Sequence, residues 1–511
     1  MSGKPATPRE WALETELKFV VDAQGAERLR ADLALPGDGE RLRSVYFDTP
    51  DLDLKADGFV LRVRDKDGAR VQGVKQNGEH SVFSRHEWET ALEGEALDFE
   101  AIDATPLGEK LGRKRREALT PAFEVDVRRA KRTIEFQGAE IEVALDEGEV
   151  HTLTRREAIR ELELELISGS PAALFALART LASSEMTLSF RSKSSRGFAL
   201  AHDAETCAEA MAPPDLTADQ TVRQAFHAIA ARSLAQIAAT GEILRQRRDG
   251  EAVHHLRIGA RRLRSAISLF RRMLGEASPR PVAAELRWLG GECDPARNLD
   301  VFAEETLAPV VAAVSDPEML AGLALALERR RTLAHERVRQ AVCSDRFRAL
   351  LLETAAWIEA GAWTCDPALA EAQGESLGVF AREALERAYG RVMKRAKALK
   401  GDDAAARHRL RVADKTLRYG LGGLASVFEH ARHGDVKALR RAASQAQDAL
   451  GALTDLVAAR RLCGDIAREE ADPAITYAAG FVAGHVSAVE PARLKAAKTA
   501  VRRLCKAERF W

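Results

Sequence analysis

The hydrophobic period of this chain changes once, and that change limits the fold more than any other feature of the sequence. From about residue 8 to residue 200, apolar and polar residues alternate. "FVLRVRD", "EWETALE", "FEVDVRR", "IEVALDE" and "RELELELISG" each read as a strand of period two. "DAQGAERLRADL" and "SPAALFALARTLAS" read as helices of the same half. "AHDAETCAEAMAPPDLTADQT" then breaks the pattern at Pro213 and Pro214 and reads as a linker. Beyond it the strand-like runs vanish. Ala, Leu, Arg and Glu recur at helical spacing, as in "TVRQAFHAIAARSLAQIAATGEIL" and "FRALLLETAAWIEAGAW". The expectation is a multidomain chain: an antiparallel sheet or barrel with some helix (α+β), then an all-α domain. A length of 511 residues also calls for two or more domains.

The remaining composition narrows the class. With 46% hydrophobic and 30% charged residues, the chain reads as globular. No run is apolar enough to span a bilayer, so no membrane partner is expected. "MSGKPATPREWALE" lacks the apolar core of a signal peptide. Cys207, Cys293, Cys343, Cys365, Cys463 and Cys505 are scattered without a CxxC pair. That spacing fits reduced thiols rather than a disulfide frame or a zinc site, and a cytoplasmic location.

Formal net charge is zero, from 77 basic and 77 acidic side chains, so the information lies in local clusters. Alternation puts residues i, i+2 and i+4 on one face of a strand. Glu14, Glu16 and Lys18 share a face, as do Arg62 and Arg64; Arg85, Glu87 and Glu89; Arg129 and Lys131; and Glu161, Glu163 and Glu165. The alternate positions are mostly apolar. A sheet packed on one side and wet on the other, with cross-strand ion pairs, would look the same strand by strand. The order is more telling. Acids gather in the first strand and in "ELELEL", and bases in the strands between them. Closure would set acidic walls opposite basic ones. Carboxylates at that density suit Mg²⁺ or Mn²⁺. Arg and Lys suit phosphate oxygens. Together they supply the chemistry of phosphoryl transfer. Two choices stay open. "RELELEL" offers three acids for two places, and "VDVRRAKR" has a second register that turns Arg128 and Arg132 inward.

"ETELK" resembles the ExExK signature of the CYTH superfamily, the triphosphate tunnel metalloenzymes. "YFDTPDLDL", Arg62 and Arg64, Lys75, Glu87 and Glu89, Arg129 and Lys131, Asp146, "ELELE" and "SKSSRGFAL" follow in order. The resemblance covers roughly residues 10–202 within a domain read as 8–202. It implies an eight-stranded tunnel that holds a linear triphosphate. It also implies Glu14, Glu16, Glu163 and Glu165 as metal ligands, with Asp146 as a further candidate. Lys18, Arg62, Arg64, Lys75, Arg129, Lys131 and Arg196 would contact phosphates. Glu14, Glu16, Lys18, Glu163 and Glu165 form the implied catalytic set, with metal-held water attacking the terminal phosphorus.

After a linker at 203–215, the helical half (216–511) contains an internal repeat. "HHLRIGARRLR" matches "HRLRVADKTLR", placing His254, Arg257, Arg261 and Arg264 in register with His408, Arg411, Lys415 and Arg418. Two pseudo-symmetric helical subunits follow, about 216–400 and 401–511. The spacing puts each set on one helical stripe. "ALERAYGRVMKRAKAL" stripes Arg387, Arg391 and Lys394 in the same way. Like charges so placed repel by roughly 0.2–0.5 kcal/mol per pair. Repetition on three helices therefore argues for a polyanion ligand. This half resembles the CHAD domain, which implies two four-helix bundles and a surface for long-chain inorganic polyphosphate. One departure is "CDPARNLDVF", where Asn298 stands at a position commonly acidic, between Arg297 and Asp300. Nucleic acid is disfavoured, because aromatic residues are only 5% of the chain and do not interleave with the stripes.

The combined expectation is an inorganic triphosphatase that cleaves tripolyphosphate to pyrophosphate and phosphate, with an appended polyphosphate-binding domain that could place it at polyphosphate granules. The alternatives are an adenylate cyclase or a nucleoside or thiamine triphosphatase on the same tunnel, or a non-catalytic polyphosphate scaffold.

Overall fold

The computed structural model describes residues 15–76, 86–183, 185–201, 211–275, 278–399, 403–428 and 433–511. Glu14, Arg85 and Cys207 lie outside these residues. Among the described residues nine strands form one antiparallel sheet: β1 (Thr15–Val21), β2 (Glu40–Asp48), β3 (Phe59–Lys66), β4 (Ala69–Gln76), β5 (His86–Leu92), β6 (Thr120–Phe136), β7 (Ala139–His151), β8 (Arg156–Ser168) and β9 (Met186–Leu188). Their order is β5-β4-β3-β2-β6-β7-β8-β1-β9. The sheet therefore has one strand more than the eight expected. The extra strand is three residues long and carries no alternation that a sequence pattern could reveal.

Two tight turns fix the register. Asp67 (φ 48°) with Gly68 (φ 87°) joins β3 to β4, and Gln137 (φ 49°) with Gly138 (φ 74°) joins β6 to β7. Positive φ at both central residues gives the two-residue hairpin whose twist matches its strands. In the resulting register Arg129 faces Asp146 across β6–β7, while Arg128 is exposed on the other face. The inward face of β6 therefore carries Arg129, not the Arg128–Arg132 alternative.

One face of the sheet grades from apolar to charged along the strands. At one end Phe123, Val125, Val127, Val150, Ile159 and Phe198 form a packed cluster. Further along the same strands, that face carries Arg129, Asp146 and Glu163. The opposite face is apolar where Leu17, Phe19, Val143, Leu145, Leu162 and Leu164 are buried, and elsewhere carries ion pairs such as Arg41 with Asp126 between β2 and β6.

The longer helices of the β unit are α1 (Ala23–Asp32), α2 (Pro171–Leu181) and α3 (Lys193–Ala201). Asp22 caps α1 by accepting from the Gly25 amide at 2.8 Å. Ser170 caps α2, with Pro171 in its first turn. This unit also takes in two segments distant in sequence, Leu234–Ile243 and Ser344–Thr364. The first lies within α4 (Val222–Gln246), and the second contains α8 (Asp345–Ala360). α8 packs on α2 and β9. Phe347 of α8 sits where a side chain at Gly241 would begin, 2.6 Å from an ideal Cβ. The boundary read at 203–215 takes in the break between Glu209 and Ala210 but not the two later segments that join the first unit. It was drawn where periodicity changes, and these helical segments share their periodicity with the other unit.

The second unit comprises residues 210–233, 244–343 and 365–511. Its longer helices are α5 (Gly250–Leu269), α6 (Arg280–Val301), α7 (Ala321–Cys343), α9 (Leu377–Lys397), α10 (Ala404–Leu424), α11 (His433–Glu470) and α12 (Pro473–Lys506). One core joins α9, α10, the first part of α11 and the last part of α12, through Leu385, Leu410, Leu417, Leu439, Leu450 and Leu504. A second joins Phe302, Leu323 and Leu327 to the remaining parts of α11 and α12, through Ile466 and Val482. The helix Leu377–Lys397 therefore belongs with α10, ahead of the break at residue 400 read as the repeat boundary.

Gly197 lies on α3, and an ideal Cβ there would stand 2.0 Å from the Phe123 ring. Gly197→Ala should therefore push α3 off the apolar end of the sheet and lower stability by about 1–3 kcal/mol, as overpacked cores do. Thermal melting of wild type and variant checks this.

Candidate active site and basic patch

The charged face of the sheet encloses a cavity of about 240 Å³. Strands β1 to β8 all contribute to its wall. Seven bases line it (Lys18, Arg62, Arg64, Lys75, Arg129, Arg191 and Lys193) with six acids (Glu16, Glu87, Glu89, Asp146, Glu163 and Glu165). The acidic strands from the two ends of the sequence are direct neighbours: Glu16 opposes Glu165 and Lys18 opposes Glu163.

Two networks divide the wall. In the first, Arg129 grips Asp146 with two bonds of 2.7 Å and also donates to Glu163. Lys193 lies 2.7 Å from both Asp146 and Glu163 and 2.8 Å from Glu161. Lys18 approaches Glu163 at 3.0 Å. Burial opposes the charge on Glu163, yet Lys18, Lys193 and Arg129 together hold it well below the usual carboxylate range. Burial likewise works against Lys193, and Asp146, Glu163 and Glu161 raise it well above an ordinary lysine.

In the second network Arg62 Nη2 donates to Glu87 at 2.7 Å and to Glu89 at 3.1 Å, and Lys75 reaches Glu87 at 2.6 Å. Against its burial, Arg62 and Lys75 pull Glu87 down to about 2. Arg64 and Lys75 are held below their ordinary values, Lys75 despite its contact with Glu87. Burial and then Arg62 lower both Lys75 and Arg64, and the hydrogen bond from Arg64 Nε to Ser44 is long, at 3.4 Å. A wall that holds cations below their ordinary values gains when an anion enters.

Most of the expected site residues converge here: Glu16, Lys18, Arg62, Arg64, Lys75, Arg129, Asp146, Glu163 and Glu165. Glu14 lies outside the described residues. Two expectations are corrected. Lys131 shares the face of Arg129, but it lies beyond the cavity, half exposed and paired with Glu142 at 2.8 Å. Arg196 is buried behind the wall, 3.4 Å from Glu161 and 3.5 Å from Glu157. Of the three acids in "ELELEL", Glu163 and Glu165 line the cavity, and Glu161 lies beneath Lys193, fully buried. Lys193, at the start of α3, lines the cavity where Arg196 was expected. Arg191 was also missed. It lines the cavity and donates to Glu242 of α4 at 2.9 Å, with both side chains largely buried. The dense run "RSKSSR" was the available signal for both, and a helix of nine residues shows too little periodicity to orient it.

In the second unit α5 and α10 bring the two repeat stripes together. Burial comes first in lowering Lys415 to about 8, followed by the repulsion of Arg261, Arg411, Arg257 and Arg264. Arg261 and Arg418 flank Tyr419, 5.6 and 5.4 Å from its ring centroid. The buried Nε atoms of Arg261, Arg411 and Arg418 find no acceptor among the described residues. Arg257 has a close counterion, Asp294 at 2.6 Å. Burial and then Arg297 push His254 down to about 4, so it is neutral near pH 7, and His408 is exposed. Arg387, Arg391 and Lys394 of α9 are exposed, Arg387 paired with Glu383 at 2.9 Å. Among the described residues no ion pair or hydrogen bond ties these three to the patch. Asp300, in the departing corner, is fully buried and held by His335 and Arg331 at 3.0 Å. It serves as a structural junction between α6 and α7.

A CYTH domain model matches residues 12–198 and a CHAD domain model matches residues 228–464. The chain joins a CYTH domain to a CHAD domain. An inorganic triphosphatase of Haemophilus influenzae is 31% identical over 195 residues, which are 37% of this chain and 54% of that protein. The chain thus spans about half the length of this curated relative. Among solved structures, the CHAD domain from the plant Ricinus communis is 29% identical over 59% of this chain and 96% of its own, with a TM-score of 0.49. PptA from Streptomyces chartreusis is 19% identical over 55% and 100%, with a TM-score of 0.44. No described helix is long and apolar enough to cross a membrane.

Beneath the basic patch of the CHAD domain, Asp414 is fully buried, and neither carboxylate oxygen has a hydrogen-bond partner among the described residues. Burial, aided by Asp448 of α11 and opposed by Arg418, pushes it up to about 7. The folded chain therefore holds a proton that the unfolded chain releases near 4. The stability of the neutral form is complete below that pH and is lost as pH rises through 7. Asp414→Asn should melt above wild type at pH 8, and the gap should close toward pH 4, as melting curves across that range would show.

Proposed function

We propose that the CYTH domain is a metal-dependent inorganic triphosphatase and that the CHAD domain binds inorganic polyphosphate. The observation that carries the first part is the convergence of Lys18, Arg62, Arg64, Lys75, Arg129 and Lys193 in one cavity with the acids of β1 and β8. The similarity to an inorganic triphosphatase supports the same reading.

The acids fit a hard divalent cation. Glu16 Oε1 is buried without a hydrogen-bond partner among the described residues, Lys18 stands 3.4 Å from it, and Glu165 lies directly across the strand pair. Among the described residues no three acids, histidines or cysteines form a complete ligand cage. Mg²⁺ and Mn²⁺ suit such a site, since Mg²⁺ takes one or two carboxylates and completes its shell with water and substrate phosphate. Glu16, Glu163 and Glu165, with Glu14 near Glu16 in sequence and Asp146 as a further candidate, would hold the ion in exchange for their present pairing with Lys18, Arg129 and Lys193. The bound cation would neutralise charge on the phosphate oxygens.

The protein's own residues do the positioning. Arg62, Arg64, Lys75, Arg129 and Lys193 line the path of a linear triphosphate and bind its oxygens. Water adds to the terminal phosphorus, the bridging P–O bond breaks, and pyrophosphate leaves. Glu163, held well below the usual carboxylate range, stays ionised near pH 7 and cannot serve as a proton donor.

Phosphate release from tripolyphosphate with Mg²⁺ or Mn²⁺ tests the reading. Glu163→Gln should slow turnover on the order of a hundredfold, and chelation should abolish it. Equal rates in wild type and variant would overturn the assignment. ATP and thiamine triphosphate assayed in parallel set the substrate class. Glu242→Gln should raise KM about tenfold with kcat kept, because it releases Arg191. Glu353→Gln, which breaks an exposed pair with Arg179 away from the cavity, should change neither.

For the CHAD domain, the crowding of Lys415 by four arginines is the supporting observation. Changing Arg257, Arg261, Arg411 and Lys415 to Ala should abolish binding of long-chain polyphosphate while tripolyphosphate turnover is retained. Retained binding would count against the patch.

A further inference from the structure

Beside the basic patch the CHAD domain holds a second cavity, of about 480 Å³, twice the volume of the tunnel. Arg261, Arg262, Arg264, Lys415, Arg418 and Arg440 line it, and an apolar part of its wall includes Pro213, Ile229 and Leu269. A bare polyphosphate chain has no apolar surface and would leave that part unused.

The sequence of α10 shows that the space is kept open. Its last turn reads "GLGGL", and glycine within a helix costs about 0.5–1 kcal/mol relative to alanine. Gly420 has a packing reason, since a Cβ there would meet Leu385 at 3.1 Å. Gly422 and Gly423 have none. A Cβ on Gly422 would meet nothing within 4 Å, and one on Gly423 only Ile229 at 3.7 Å. Both line the cavity. Arg440 donates to the carbonyls of Leu421 and Gly422, both at 3.2 Å, and so holds this glycine-rich end in place. The buried Nε atoms of Arg261 and Arg418, without an acceptor among the described residues, form the polar rim.

We propose that this cavity binds a nucleoside polyphosphate, with its phosphates on the arginine–lysine rim and its base and sugar against the apolar wall. The inference rests on reading the patch as a polyanion site, and it adds an organic group to the ligand. Half-apolar, half-cationic pockets of this kind recognise ligands with the same division. The glycines leave room for a flat ring next to the helix backbone.

Photolabelling of the full chain with 8-azido-ATP tests this, because peptide mapping separates the cavity from the tunnel. Label should fall within residues 261–270 or 415–424. ATP should compete at that site at about tenfold lower concentration than tripolyphosphate. Gly423→Leu, which fills the cavity, should remove the label there while leaving tripolyphosphate turnover and long-chain polyphosphate binding unchanged. Ser268→Trp, on the exposed rim, should do the same and stands in if Gly423→Leu does not fold. Label confined to the tunnel, equal competition by tripolyphosphate, or undiminished label in both variants would overturn the proposal. If long-chain polyphosphate fails to bind while the label behaves as expected, the polyphosphate reading fails and the nucleotide pocket stands.

Discussion

Everything in the β unit depends on enclosing the ionised face of a sheet. Antiparallel sheets commonly bury the apolar face and leave the polar one in water. Here the apolar face is covered by helices, and the ionised face lines an interior. Isolated charges could not be kept there, because desolvation would neutralise them. The chain solves this by alternating sign across neighbouring strands. Arg129 stands between Asp146 and Glu163, Lys193 closes the same group from α3, and Arg62 and Lys75 share Glu87. The result is an interior with seven cations and six anions that stays charged. Only a site built that way can present fixed cations to a substrate without first rearranging water.

The two domains handle their bases in opposite ways. In the CYTH domain nearly every base of the cavity wall has a carboxylate within a few ångströms. In the CHAD domain the bases of two helices are pressed together with few counterions, and the repulsion shows in the depressed Lys415.

Much of this was legible in the sequence, for a physical reason. A strand with one buried and one ionised face must alternate, so spacing put Glu16 with Lys18, Arg62 with Arg64, and Glu163 with Glu165 on shared faces, while the register of Arg129 stayed open and Lys75 came only from the resemblance. What alternation cannot show is where a strand leaves the site. β6 runs for 17 residues, so Lys131 keeps the right face and still falls outside. Nor can it orient a short helix, which is why Arg196 was expected where Lys193 stands. The fate of Asp146 followed the same limit: its position was legible, and its bidentate tie to Arg129 was not. Glu242 was invisible for a different reason. It is an ordinary acid on an ordinary amphipathic helix, and only packing brings it to Arg191.

That packing has a consequence for the order of events at the ribosome. All nine strands have been made by residue 188, but the unit they belong to also includes Leu234–Ile243 and Ser344–Thr364. The nascent unit therefore waits for the helix that packs on α2 and β9 while the intervening helices are translated. Domains tend to fold as units during synthesis, and transiently exposed apolar surface invites misassembly. For this chain the vulnerable interval lies between the last strand and α8, and the CYTH domain is complete only once much of the CHAD domain has been made.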